Sequence, residues 1–145
     1  MLHTHSKIWV RLVWATKYRI KCLYGDVSKN LFQHLIDHAS EEIKIPFEQL
    51  NIQPEHIHAI IDLPTNIALA DFMQLIKGES SHWINQSKML NEKFSWQRGF
   101  GAYSVSASQL DIVKNYIKNQ SEHHKKRSFS EEYEKWKKEY GIFDD

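Results

Sequence analysis

Between Phe47 and Leu63 the chain reads as two strands folded about a three-residue turn, Gln53-Pro54-Glu55, with a helix-period segment on either side. In the second of these strands Ile57, Ala59 and Ile61 alternate with His56, His58 and Ile60, so one face is aliphatic and the other carries two imidazoles. A hairpin set between two helices leaves few ways to close a sheet, and the flanking sequence offers the missing strands. Ile8, Val10, Leu12 and Trp14 alternate with Trp9, Arg11 and Val13 in a segment rich in β-formers. Ala102–Ser106, with Tyr103 and Val105 alternating, reads as the fourth strand after a loop over residues 91–101.

Helices fill the intervals. Gly25-Asp26 breaks the first strand, with Asp26 as the expected N-cap of a helix running to about Lys44, its Phe32, Ile36, Ala39 and Ile43 on one face; Pro46 ends it. Pro64-Thr65-Asn66 is expected to open a second helix to about Met89, with a stripe of Leu69, Phe72, Met73, Ile76 and Trp83. Ser108 followed by Asp111 marks a third, whose core side is Leu110, Val113 and Ile117. A last helix is expected after Ser128, with Phe129, Tyr133, Trp136 and Tyr140 as its apolar stripe and Gly141 as its end. The order β-α-β-β-α-β followed by helices predicts an α+β chain: a ferredoxin-like split β-α-β core with a four-stranded antiparallel sheet plus C-terminal helices, one domain over residues 1–145.

Composition narrows the classes. A chain of 145 residues can bury roughly 68–70% of its unfolded surface, so a core forms without staples. The single cysteine, Cys22, excludes an intramolecular disulfide and fits a reducing compartment. No run approaches the roughly 20 apolar residues of a membrane helix, and the first residues lack a signal peptide's apolar core, so a cytoplasmic protein is expected. The net charge of +1 conceals an uneven distribution: Lys7, Arg11, Lys17, Arg19 and Lys21 occur with no acid among them, and His123–Arg127 forms a second acid-free cluster. Such clusters are compatible with a phosphate-binding face and equally with solvated surface. Since this fold hosts many activities, the site has to decide the function.

Residues two apart in a strand share a face about 6.6 Å apart, so His56 and His58 project together. Two neutral imidazoles form part of a site for a divalent cation and call for a third ligand from elsewhere. The same spacing suits two histidines on a half-exposed face, and His3-Thr4-His5 repeats it with no role assigned. On the third helix Tyr116 and Gln120 stand at i and i+4, about 6 Å apart along the axis, on a side expected to face away from Leu110, Val113 and Ile117. A glutamine carbonyl is a suitable hard ligand.

Taken in order, the segments PEHIHAII (54–61), LIKGESS (75–81), WQRGFGAYSVS (96–106) and YIKNQ (116–120) resemble the HUH single-tyrosine transposases, enzymes of very small bacterial insertion sequences with relatives associated with repetitive extragenic palindromes. The opening Leu12–Arg19 resembles that family's first strand and its exit, and the likeness spans roughly Lys7 to Arg127. It implies His56 and His58 as paired metal ligands, Gln120 as the third, and Tyr116 as the nucleophile that leaves a 5′-phosphotyrosine and a 3′-hydroxyl. It also implies Mg²⁺ or Mn²⁺, hairpin-bearing single-stranded DNA as substrate, and a homodimer with composite sites, with placement of the tyrosine helix on its own or its partner's histidine pair left open by the sequence. Lys17, Arg19, Lys77 and Arg98 are the expected DNA contacts, with Tyr18, Trp96 and Phe100 available for stacking; Trp9 and Trp14 suit the core better. Two other readings share these residues: a domesticated enzyme that nicks palindromic repeats, and a non-catalytic hairpin-binding protein.

Overall fold

The four segments of alternating sequence form one antiparallel sheet: β1 (Trp9–Ala15), β2 (Phe47–Ile52), β3 (His56–Asp62) and β4 (Gly101–Val105), in the spatial order β2-β3-β1-β4. This computed structural model describes residues 4–120 together with Glu131, Glu134 and Lys135. The expected last helix with its aromatic stripe, and the His123–Arg127 cluster, lie outside the described residues. Helix α1 (Gly25–Asp37) joins β1 to β2, and α2 (Leu69–Ser87) joins β3 to β4, which is the split β-α-β arrangement expected from the sequence.

The register decides which residues share a face. Ile57, Ala59 and Ile61 of β3 lie opposite Trp14, Leu12 and Val10 of β1. These six are buried in one core with Leu31 and Leu35 of α1 and Phe72, Met73, Ile76 and Ile84 of α2. Burial of each large side chain contributes about 1.5–3 kcal/mol, so this two-helix layer is the main source of stability. At its edge His34 stacks on Trp83 at 4.1 Å and donates Nε2–H to Glu79 at 2.7 Å, tying α1 to α2.

The opposite face carries His56, His58 and Ile60 beside Ala15, Val13 and Arg11, with Tyr103 of β4 alongside Arg11. It too is covered. Helix α3 (Leu110–Lys118) packs across β2 and β3, with Ile117 fully buried and Lys114 ion-paired to Glu48 at 3.7 Å.

Several local expectations shift. Helix α1 begins at Gly25 with Tyr24 in the capping position, and Asp26 falls in the first turn, where its charge still complements the helix dipole. Its buried stripe is Leu31, Leu35 and Ala39, while Phe32 is 40% exposed: the helix is rotated by one residue from the expected face. The last turn widens over His38–Ile43 and stops at Lys44 in the left-handed conformation, φ 67°. Helix α2 starts at Leu69 rather than at Pro64, because Thr65-Asn66 form a turn and the first helical hydrogen bonds run to the Ala68 carbonyl.

Candidate active site

Strand β3 is launched by a tightly held turn. The His56 carbonyl accepts from the Gln53 N–H at 2.8 Å, the Pro54 carbonyl accepts from the Cys22 and Leu23 N–H groups, and the Glu55 carbonyl accepts from Thr16 N–H at 2.9 Å. The two imidazoles that follow are fully buried, with ring centroids 4.9 Å apart and planes at 67°. His56 Nδ1 lies 2.8 Å from a carboxylate oxygen of Glu55, itself only 6% exposed. An ionised carboxylate only accepts, and against one His56 Nδ1 is the donor of this contact.

Helix α3 brings Tyr116 onto the same face. Its ring is half-buried and packs with Ala15 against Val13 and Tyr103. Val13 and Ala15 are the cross-strand partners of His58 and His56, so Tyr116 packs on the histidine face of the sheet. The guanidinium carbon of Arg11 lies 5.2 Å from the centre of the Tyr116 ring. Gln120, one turn further, is fully buried. The covered side of α3 is therefore Val113, Tyr116 and Ile117, with buried Gln120 just beyond its end, and the expectation that Tyr116 and Gln120 turn away from the Ile117 side is corrected. The surface that α3 seals is the histidine face of the sheet.

Among the described residues no three His, Cys, Asp or Glu side chains group as a metal cage. His56, His58 and Gln120, all fully buried, are the residues that could hold a divalent cation, two imidazole nitrogens and an amide oxygen being neutral donors of mixed hardness.

The residues expected to contact DNA gather at the exit of β1. Lys17, Tyr18 and Arg19 form a single 3₁₀ turn, exposed throughout, with Tyr18 and Arg19 at φ 59° and 54°. Lys17 and Tyr18 line two adjoining hollows of about 470 and 530 Å³; Lys77 and Arg98 line the second, and Arg19 lines neither. Lys77 has a further attachment, donating from Nζ to the Gln97 and Gly99 carbonyls at 2.7 and 2.6 Å, and burial pushes its ammonium below the ordinary lysine value. Trp96 is 9% exposed, with its indole N–H donated to Ser80 Oγ at 2.9 Å, so it packs rather than stacks on a ligand; Trp14 is likewise core. Of the aromatics expected to stack on DNA, Tyr18, 79% exposed, and Phe100, 40% exposed, are accessible.

Glu55, Arg11 and Tyr103 were not singled out from sequence. The strand alternation already set Arg11 on the face opposite Leu12 and Trp14, whereas the Glu55–His56 bond depends on the geometry of the turn.

Residues 4–120 match the family described as Transposase IS200 like. The chain is 26% identical over 131 residues to the transposase for insertion sequence element IS200 of Salmonella typhimurium, covering 86% of this chain and 84% of that protein. It is 26% identical over 114 residues to the ISDra2 transposase TnpA of Deinococcus radiodurans, covering 75% and 81%. A crystal structure of a candidate transposase from Deinococcus radiodurans R1 superposes with a TM-score of 0.68 at 24% identity, over 83% of this chain and 95% of that one. A REP-associated tyrosine transposase bound to a REP hairpin superposes with a TM-score of 0.62 at 18% identity, over 86% and 74%. These two structural likenesses bear on the fold.

Proposed function

The chain belongs to the IS200-like transposase family, and on that premise we propose that it nicks and rejoins hairpin-bearing single-stranded DNA through a covalent bond to Tyr116. The observation that supports this reading is the packing of Tyr116 against Val13 and Tyr103, on the covered face of the sheet where Val13 pairs with His58.

In the proposed reaction the Tyr116 phenol oxygen attacks the scissile phosphorus in line. The bond to phosphorus forms at Oη, the bond to the 3′ oxygen breaks, the phenol proton passes to solvent, and the departing oxygen takes up a proton as a 3′-hydroxyl. The product is a 5′-phosphotyrosine, which keeps the phosphodiester energy; attack by a second 3′-hydroxyl reverses the step without ATP. A divalent cation, Mg²⁺ or Mn²⁺, held by His56, His58 and Gln120 would supply charge stabilisation at the phosphate oxygens. Arg11, at 5.2 Å from the ring, adds fixed positive charge beneath the nucleophile. Ile117 and Val113 hold the helix so that the phenol is positioned before substrate arrives. Lys17, Arg19 and Arg98 contact the phosphate backbone, and Tyr18 offers a ring to an unstacked base.

A cytoplasmic location and a single domain belong to the same reading; no helix among the described residues is long and apolar enough to cross a membrane. So does a homodimer. The resemblance implies composite sites, which would require α3 to sit on the partner's sheet rather than on its own chain's sheet.

The test is incubation of the full chain with labelled hairpin-bearing single strands and Mn²⁺ or Mg²⁺, followed by a denaturing gel. A metal-dependent protein–DNA adduct that disappears in Tyr116→Phe, with hairpin binding retained within about twofold, is the expected result. Undiminished cleavage by Tyr116→Phe would sink the nucleophile assignment. Binding with no adduct on any strand from the native locus would favour the non-catalytic reading.

A further inference from the structure

From the Glu55–His56 contact we infer that Glu55 is a positioning residue of the metal site, fixing the tautomer and the orientation of His56 so that Nε2 is the ligating nitrogen. This rests on the metal site proposed above. Glu55 is 6% exposed and its neighbour His56 is fully buried, so neither side chain reorients at the cost of a surface rotamer. A carboxylate carried into such a place requires a purpose-built donor, and His56 Nδ1 supplies one at 2.8 Å. The backbone beneath is equally fixed. Thr16 holds the Glu55 carbonyl through its N–H at 2.9 Å, while its hydroxyl donates to the Ile20 carbonyl at 2.7 Å and the Gln53–His56 hydrogen bond closes the turn.

The chemistry follows from the two nitrogens of one ring. With Nδ1–H committed to the carboxylate, Nε2 carries the lone pair, and it is the nitrogen on the far side of the ring from Glu55. The carboxylate also raises the basicity of that lone pair. Partners of this kind typically contribute 10- to 100-fold in metal affinity. Glu55 therefore acts through His56 and touches neither substrate nor metal. The consequence is specific: its removal weakens metal retention and leaves the Tyr116 step competent once the site is filled.

Two measurements on the full chain test this. The first needs no metal. A long-range ¹H–¹⁵N correlation spectrum of metal-free, labelled protein should show His56 protonated at Nδ1, moving towards the Nε2–H form in Glu55→Ala and staying at Nδ1 in Glu55→Gln, whose amide oxygen still accepts. The second is Mn²⁺ titration by calorimetry, with Glu55→Ala expected to bind about 10- to 100-fold more weakly and Glu55→Gln to fall between it and the parent. Adduct formation by Glu55→Ala should recover as Mn²⁺ is raised, which a merely structural lesion would not allow. Protonation of His56 at Nε2 in the parent chain, or Mn²⁺ affinity unchanged in both variants, overturns the assignment. No Mn²⁺ binding by the parent chain would instead remove the metal site itself and this inference with it, a result distinguishable because it appears without any substitution at Glu55.

Discussion

At the scale of single residues, two lysine and arginine positions that look alike in sequence separate in the structure. Lys77 spends two hydrogen bonds on the Gln97 and Gly99 carbonyls, fastening α2 to the loop before β4, whereas Arg98 is exposed on that loop. Lys77→Met should therefore lower stability by about 1–2 kcal/mol, the worth of charge-assisted bonds discounted for partial exposure, read as a shift in the urea midpoint. The salt dependence of hairpin binding should not change. Arg98→Ala should do the reverse, leaving the midpoint in place and reducing the slope of log affinity against log salt by about 1. A slope reduced by Lys77→Met with stability intact would make Lys77 a phosphate contact instead. Burial lowers the folded-state pKa of Lys77, so the unfolded chain holds that proton more tightly. The desolvation cost of this group is thus greatest at neutral pH, and it is relieved as the pH rises towards the ordinary lysine value.

At the scale of elements, the two faces of the sheet carry different burdens, and substitutions should report it. Ile57, on the face sealed by α1 and α2, is fully buried; Ile57→Ala should cost about 2–5 kcal/mol in chemical denaturation. Ile117 is equally buried but belongs to a nine-residue helix on the other face. Ile117→Ala should lower adduct yield even at saturating metal, because Tyr116 rides on that helix and Gln120 closely follows its end. Retention of full adduct yield despite a comparable loss of stability would show that α3 does not depend on Ile117 for its seat. The strands and their facing were legible because period-two alternation records them: His56 and His58 on one side, Ile57, Ala59 and Ile61 on the other. The seat of α3 was not. Its buried side mixes Val113 and Ile117 with Tyr116 and Gln120, and an amphipathic helix that closes over a polar site does not show a purely apolar stripe. Likewise Phe32 reads as core by spacing, but neighbouring Leu31 and Leu35 fill the space against the sheet.

At the scale of the whole molecule, the open matter is which sheet α3 serves. Only residues 106–109 separate β4 from α3, and four residues span at most about 14 Å when fully extended. Those residues are not extended: Ala107–Gln109 form a 3₁₀ turn whose Gln109 N–H bonds the Ser106 carbonyl at 3.0 Å, directing α3 back over its own chain. Moving the helix to a partner would uncover Ile117, Gln120 and the histidine face, a loss recovered only by an equivalent seat on the second copy. The two arrangements of the proposed homodimer, α3 on its own sheet or on its partner's, give different outcomes when two variants are mixed. Mixing Tyr116→Phe with His56→Ala under conditions of subunit exchange tests this directly. If a chain uses its own tyrosine, no pairing of the two variants contains an intact site, and the mixture should stay inactive in the adduct assay. If the sites are composite, half of the dimers are mixed and each regains one of its two sites, so roughly a quarter of the parent activity returns. That recovery would assign α3 to the partner and make the 106–109 connector the hinge through which the chains exchange it.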